Sequence, residues 1–235
     1  MVRINKDLTI VLPTKNEEEN ILLLLSELKK YQPYSILVVD DSDDSTKEKV
    51  LNQDIFPKET VRLVHRVKKD RKAGLSGAVI NARDLISTPY FAIMDADLQH
   101  PPEALLRLSA ELSNDNNLDI ISASRFLPGS TILGLSQMRR LLSLILIIFT
   151  KKSNQIKLLN VTDPLTGLFL ARTELLNNPN IKPDGFKLLL EIILAHPYPL
   201  TVKEIPFTFH DRKLGNSKAN IKELFSLVKI SLRSR

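Results

Sequence analysis

MDADLQHPPE, Met94 to Glu103, is the stretch whose reading decides the fold. The apolar run Tyr90-Phe91-Ala92-Ile93 leads into it and reads as a buried strand. Asp95 and Asp97 follow at once, with Gln99 two positions on, and Pro101-Pro102-Glu103 opens a helix, since proline is tolerated in the first helical turn. Hard oxygen ligands therefore sit on the turn leaving the carboxyl end of a strand, the edge at which open α/β sheets bind their ligands. Along a straight strand Asp95 and Asp97 share one face and Ala96 points away. A turn changes that aim, and Ala96 is small enough not to block a substrate. Two carboxylates and an amide oxygen, from Asp95, Asp97 and Gln99, suit Mg²⁺ or Mn²⁺, which keep waters and borrow ligands from substrate phosphates. A solvated acidic turn is the plainer reading of one such motif taken alone, so the rest of the chain has to decide.

Outward from this turn, strands alternate with helices. Upstream, strands are expected at Leu8 to Leu12, Ile36 to Val39 and Val61 to Val64, and helices at Asn20 to Leu28, Thr46 to Leu51 and Gly74 to Ile86. A basic loop, His65 to Lys72, follows the third strand. Downstream come a helix from Pro101 to Leu112 and a strand from Leu118 to Ala123 that ends in Ser124-Arg125. The alternation means βαβ units and a mostly parallel sheet. Past Arg125 the pattern changes. Arg139 and Arg140 precede a nearly all-apolar segment, Leu141 to Phe149, closed by Lys151 and Lys152. It reads equally as a buried helix and as an interfacial helix with basic flanks, and it is too short for a spanning helix of about 20 residues. A strand at Leu168 to Ala171, a helix at Phe186 to Ala195, a strand at Val202 to Phe209 and an amphipathic helix at Ile221 to Leu232 complete the chain.

With 235 residues the chain is one large domain or one domain with an extension. The absence of cysteine excludes disulfides, thiolate zinc sites and cysteine nucleophiles. A formal charge of +6 suits anionic partners such as nucleotide phosphates, lipid phosphates, a negative membrane surface or nucleic acid. No secretory leader is expected, because the N-terminus enters a strand within a few polar residues. His65, His100, His196 and His210 are scattered without metal spacing and read as structural, although His100 adjoins the acidic turn. Gly167 and Gly215 read as turn residues, Gly215 also as a hinge. Lys151, Lys152 and Lys157 read as a solvated face or a lipid-headgroup patch.

Three strand ends carry acids: Glu17 after the first, Asp40 and Asp41 after the second, Asp95 and Asp97 after the fourth. Crowded on one edge, they repel unless a cation or a donor-rich ligand joins them. A metal nucleotide supplies both, the ion for the central pair and base or ribose donors for Asp41. Neither the dinucleotide fingerprint nor the P-loop is present.

The ordered series PTKNEEEN, VVDDSDDST, GLSGAV, MDADLQHPPE, SRFLPG, DPLTGLFLAR, GFKLLLEII and EIPFTFHDRKLGNSK resembles the polyprenol-phosphate glycosyltransferases, with its nearest likeness to the dolichol-phosphate mannose synthases. The resemblance spans almost the whole chain. It implies an inverting enzyme of GT-A fold, a Rossmann-like, mostly parallel sheet flanked by helices with a C-terminal membrane-facing helical extension. Residues 1–126 would form a nucleotide-sugar-binding half, and residues 127–235 an acceptor-binding half with interface helices. The implied reaction moves a hexose, mannose from GDP-mannose, to dolichyl or another polyprenyl phosphate. The alternatives are UDP-glucose or another nucleotide sugar as donor, or a nucleotide-binding module without turnover. On the same resemblance, Pro13, Lys15 and Glu17 contact the nucleotide and Val39 and Asp41 read the base. Asp95, Ala96, Asp97 and Gln99 hold metal and diphosphate, with Asp97 central to catalysis. Arg125 and Arg139 receive the acceptor phosphate, and Arg212 and Lys218 belong to a late loop over the donor phosphates. The helix after Arg139 would lie on the membrane surface, at the cytoplasmic face, with the protein peripheral or anchored by helices absent from this chain; no nucleic-acid partner is expected. Two departures stand out: the family usually carries tyrosine at Lys15, and the loop DDSDDST is one residue shorter than the usual pattern and lacks its glycine.

The implied chemistry agrees with general principles. A divalent ion neutralises the leaving diphosphate, and the acceptor phosphate, with a second pKa of about 6, is already anionic at neutral pH. Arginines that grip phosphate bidentately then serve where a hydrolase needs a base.

Overall fold

The structure is a computed structural model that describes residues 3–115, 117–154, 156–183, 187–212 and 214. In chain order its elements are β1 (Leu8–Thr14), α1 (Ile21–Lys29), β2 (Ser35–Asp40), α2 (Thr46–Leu51), β3 (Val61–His65), α3 (Gly74–Ala82), β4 (Tyr90–Ile93), α4 (Pro102–Asn114), β5 (Ile120–Ser124), β6 (Thr131–Ile132), α5 (Gln137–Ser153), β7 (Phe169–Arg172), α6 (Leu188–Ala195), β8 (Val202–Pro206) and β9 (Thr208–Phe209). The main sheet runs β3-β2-β1-β4-β7-β5-β8. The β1, β2, β3 and β4 pairings are parallel, as is β5 with β8. β7 alone is antiparallel to its neighbours, pairing Ile93 with Phe169 and Ser122 with Phe169.

The strands are apolar on both faces because helices cover both faces, as parallel sheets require. Alternation along β1 sends Leu8, Ile10 and Leu12 into one core, with Leu24, Leu25 and Leu28 of α1 and Leu105, Leu108 and Leu112 of α4. Val11 points into the other, with Val79 and Ala82 of α3 and Leu189, Leu190 and Ile193 of α6. The result is a three-layer GT-A-like α/β fold.

Four expectations change. The strand read as Val202 to Phe209 is two strands. β8 stays in the main sheet, and the chain then steps out so that β9 pairs in parallel with β6 as a separate two-stranded sheet. The helix expected to run from Gly74 to Ile86 stops at Ala82 and continues as a 3₁₀ turn, Arg83–Leu85. The basic loop contains a 3₁₀ turn at Lys68–Asp70. The apolar segment after Arg139 forms the 17-residue α5, of which only Ile147 and Thr150 are buried, so the buried-helix reading fails. Met138, Leu141, Leu142, Ile145, Ile148 and Phe149, spaced along one side, are exposed. Among the described residues no helix is long and apolar enough to cross a membrane. The amphipathic helix expected at 221–232, Lys213, Gly215, Lys218 and the start of the helix read from Phe186 lie outside the described residues.

Candidate active site

The acidic turn lies at the carboxyl edge of the sheet, between two other strand ends. Asp41 follows β2, two strands from β4 with β1 between, a separation of about 10 Å. On the far side β7 runs the opposite way, so the residues that precede it, Asp163 to Gly167, reach this edge. Arg125 leaves β5 one strand further on.

Within the turn, Leu98 takes a φ of +62°, uncommon for a bulky side chain, while that side chain is buried. Asp97 Oδ1 closes the turn by accepting the Gln99 N–H at 3.1 Å. Gly167 passes so close behind Asp95 that a Cβ there would stand 2.2 Å from its Oδ2. This glycine is required by close approach rather than by a turn conformation. Asp95 is packed against protein yet keeps 34% of its side chain exposed. Burial raises the pKa of its carboxyl, and Glu17 adds to the rise against the pull of Lys187, Arg212 and Arg125. Burial, then the charge on Asp95, raises Asp97 too. Burial pushes His100 down to about 4, so it is neutral; it stacks on Phe207 with ring centroids 5.6 Å apart, and its Nδ1 lies 3.7 Å from Asp95 Oδ2.

Several of the other acids are neutralised from within the chain, which corrects the expectation that a ligand must relieve their crowding. Arg66 grips Asp41 bidentately, Nε to Oδ1 at 2.8 Å and Nη2 to Oδ2 at 2.6 Å. Its remaining N–H groups reach the carbonyls of Asp70, Lys72 and Gly74, so one buried guanidinium pins the whole basic loop to the second strand end. His65 meets Asp40 at 2.6 Å, and Arg71 meets Asp43 at 2.8 Å. Arg212 Nη2 lies 2.7 Å from Asp97 Oδ2, and its Nη1 lies 3.7 Å from Glu17 Oε1. Glu17 is buried and accepts a hydrogen bond from Asn20 Nδ2 at 2.8 Å.

Arg125 is held from below. Its Nε and Nη2 donate to Asp163 at 2.7 and 2.8 Å, and its guanidinium lies over the rings of Phe126 and Phe209. Burial opposes its charge, but Asp163 outweighs burial and holds its pKa above the ordinary arginine value. Glu204 in turn accepts the Thr162 and Asp163 backbone N–H groups at 2.7 and 3.0 Å.

The expected residues thus fall into groups. Glu17, Asp95, Asp97, Gln99 and Arg212 come together, while Ala96 is buried in the core beneath α1 and α4, which corrects the expectation that it faces the diphosphate. Pro13 and Val39 are register partners in β1 and β2, and Asp41 lies just past them, paired with Arg66. Arg125 acts electrostatically on Asp95 from across β7. Lys15 is exposed at the rim, and Arg139 is exposed on the first turn of α5, its backbone N–H capped by Ser136 Oγ. Gln99 Nε2 donates to the His210 and Gly134 carbonyls at 3.2 and 3.5 Å, which leaves its amide oxygen for a ligand. Lys218 lies outside the described residues. Arg66, Asp163 and Lys187 were not assigned from sequence. Arg66 is singled out by the strand register alone: Asp40 and His65 are partners, so their successors, Asp41 and Arg66, face one another.

Among the described residues no group of three or more His, Asp or Glu side chains is arranged to hold a metal. Two raised carboxylates with one open side do fit a hard cation that takes its other ligands from phosphate and water.

The sequence profile of glycosyl transferase family 2 matches residues 9–178. The chain belongs to this family of glycosyltransferases. It is 36% identical over 225 residues to a dolichol-phosphate mannosyltransferase of Pyrococcus furiosus, covering 94% of this chain but 61% of that protein. It is 31% identical to the dolichol-phosphate mannosyltransferase of Saccharomyces cerevisiae, over 89% of this chain and 80% of that one. It is 29% identical to the polyprenol monophosphomannose synthase of Mycolicibacterium smegmatis, over 100% and 90%. Among solved structures, glucosyl-3-phosphoglycerate synthase from Mycobacterium tuberculosis, in complex with Mn²⁺, UDP and glucosyl-3-phosphoglycerate, superposes with a TM-score of 0.66 at 17% identity, over 97% of this chain and 77% of that one. That likeness speaks for the fold.

Proposed function

We propose that this chain transfers mannose from GDP-mannose to dolichyl or another polyprenyl phosphate, with a divalent cation, Mg²⁺ or Mn²⁺, at Asp95 and Asp97. The observation that carries the reading is the charge arrangement around Asp95 and Asp97. Two carboxylates whose pKa values are raised by burial face guanidinium groups from opposite sides, Arg212 in contact and Arg125 across β7. Relatives named for dolichol-phosphate and polyprenol-phosphate mannosylation support the choice of sugar and acceptor.

When bound, the cation supplies Lewis-acid stabilisation of the departing diphosphate. The protein's part is positioning. Asp95 and Asp97 fix where the diphosphate ends, Gly167 backs Asp95, and Pro13, Val39 and Asp41 bound the nucleoside side. Arg125, locked by Asp163, and Arg139 hold the acceptor phosphate on the opposite face of the sugar, so attack in line inverts the anomeric carbon. The phosphate is already anionic at neutral pH, so no side chain has to remove a proton. Holding both partners in line contributes a share of the roughly 7–11 kcal/mol that positioning can supply.

The acceptor's lipid tail matches α5. Its exposed apolar side, with Arg139 and Arg140 at one end and Lys151 and Lys152 at the other, has the composition of a helix lying in a bilayer interface. Exposed Ile156 and Leu159 follow α5 closely in the chain, beside Lys157 and a groove of about 370 Å³. We propose on this basis that the enzyme lies on a membrane surface, and, on the family resemblance, that the surface is the cytoplasmic one.

The test is transfer of labelled sugar from GDP-mannose or UDP-glucose to a polyprenyl phosphate, with and without Mn²⁺. Metal-dependent product from GDP-mannose is expected. Product from UDP-glucose alone would reassign the donor, and nucleotide binding without product from either would leave a binding module.

A further inference from the structure

Arg212 occupies the place that the proposed function gives to the metal and diphosphate. Its Nη2 lies 2.7 Å from Asp97 Oδ2, and its Nη1 lies 3.7 Å from Glu17 Oε1. It is held there by the segment that leaves β9. The His210 N–H donates to the Gln99 carbonyl at 2.9 Å, and Gln99 Nε2 returns a bond to the His210 carbonyl at 3.2 Å. Gly134, following β6, packs so tightly behind that a Cβ on it would stand 1.8 Å from the His210 oxygen. Further along, the Leu214 carbonyl accepts a hydrogen bond from Asn20 Nδ2 at 3.3 Å. The strap is thus anchored on both sides of Arg212, and the guanidinium aims at the metal turn.

A guanidinium at hydrogen-bond distance from Asp97 Oδ2 and a divalent cation on the same carboxylate would stand within a few ångströms and repel, so each weakens the other's hold. A diphosphate, by contrast, offers several anionic oxygens to a planar fork of donors. We propose that Arg212 is a counter-ion built into the protein: it surrenders Asp97 to a divalent cation and moves onto the donor diphosphate, so that metal and nucleotide load together. The inference rests on the function proposed above and deepens it. Metal alone has to weaken the Asp97–Arg212 pair and leaves the arginine to Glu17, 3.7 Å away, whereas metal with nucleotide offers it the diphosphate as a better partner. By linkage each ligand then raises the other's affinity by the same factor.

The experiment is Mn²⁺ binding to the full chain, followed by the spin-resonance signal of free Mn²⁺, together with GDP binding at saturating Mn²⁺. Arg212→Ala should tighten Mn²⁺ binding in the absence of nucleotide, within the general coupling range of about 5- to 150-fold, while GDP binding at saturating Mn²⁺ weakens. Arg212→Lys should shift both in the same directions by less, and it carries the test if the alanine variant does not fold. A mere strut for the strap, or a pure phosphate clamp, would leave nucleotide-free Mn²⁺ affinity unchanged or lower. That result, in a variant whose circular dichroism and unfolding temperature match the parent's, overturns the exchange. Parent protein that binds Mn²⁺ equally well with and without GDP overturns the exchange while leaving the proposed function standing. Parent protein that binds no Mn²⁺ even with GDP overturns both.

Discussion

The edge around the acidic turn and the outer side of α5 handle charge in opposite ways. At the edge, Asp41 has Arg66, Asp43 has Arg71, Asp97 has Arg212 and Arg125 has Asp163, most of them at 2.6 to 2.8 Å. On α5, Arg139 and Arg140 stand exposed beside exposed apolar side chains. The charges at the edge are therefore paired within the chain, whereas α5 presents cations beside apolar side chains; on the proposed function the first is the donor side and the second the acceptor side. A water-soluble nucleotide can be met by groups that exchange one charged partner for another. A lipid phosphate brings its own apolar phase, and a surface that is costly in water suits it.

The sharpest way to break the contrast is Asp97→Ala, which removes the centre of the donor side. Transfer should fall roughly 1000-fold, the scale of losing a main electrostatic contact in the transition state, and metal-dependent nucleotide binding should vanish while the fold stays intact. Next is Asp163→Ala, which strands a buried guanidinium. Loss of one partner of a buried pair costs roughly 3–5 kcal/mol, to be read as a lower urea midpoint. Asp43→Ala is the control, since Asp43 is half exposed and its removal should barely move the midpoint. Arg139→Ala probes the other region: the acceptor KM should rise about 10- to 100-fold, as for one lost charge-assisted hydrogen bond, with GDP affinity unchanged. Equal losses for donor and acceptor would show that the two regions are not separate.

Gly167→Ala is gentler. Its Cβ would meet Asp95 Oδ2 at 2.2 Å and push the carboxylate, so Mn²⁺ affinity should drop about tenfold, the lower range for altered support of a metal ligand. The smallest effect is on pH dependence. Asp95 and Asp97 bind protons more tightly folded than unfolded. Their contribution to stability is therefore full below the ordinary carboxylate pKa and is lost as pH rises through the raised values. Metal-free protein should lose thermal stability over that interval. Mn²⁺ binding should weaken as pH falls through it, starting above the usual carboxylate range.

Much of the donor side was legible because its signals are local. An apolar run ending in acids is enough to place β1, β2 and β4 and their turns, and the proline pair starts α4 on time. What stayed hidden depends on partners distant in sequence. The antiparallel course of β7 leaves no mark in a run such as Phe169 to Arg172, because a strand buried on both faces looks the same in either direction. Arg66 could not be told from its exposed neighbours Lys68 and Lys69 by residue type, only by the register of β2 against β3. The step between β8 and β9 falls just after Pro206, a local break signal that the single-strand reading of Val202 to Phe209 passes over. The periodicity of α5 is that of any amphipathic helix, and only the packing of its neighbours shows that its apolar side is left bare.

The insertion of β7 between β4 and β5 also bears on how the chain is made. When only the first 126 residues have left the ribosome, β5 has neither neighbour, because both β7 and β8 are still to be synthesised, and β4 shows an unpaired flank. A nascent chain at that stage offers open strand edges of the kind that recruit other chains. Residues 1–126 produced alone are therefore expected to aggregate where the full chain does not, which light scattering of the two would check.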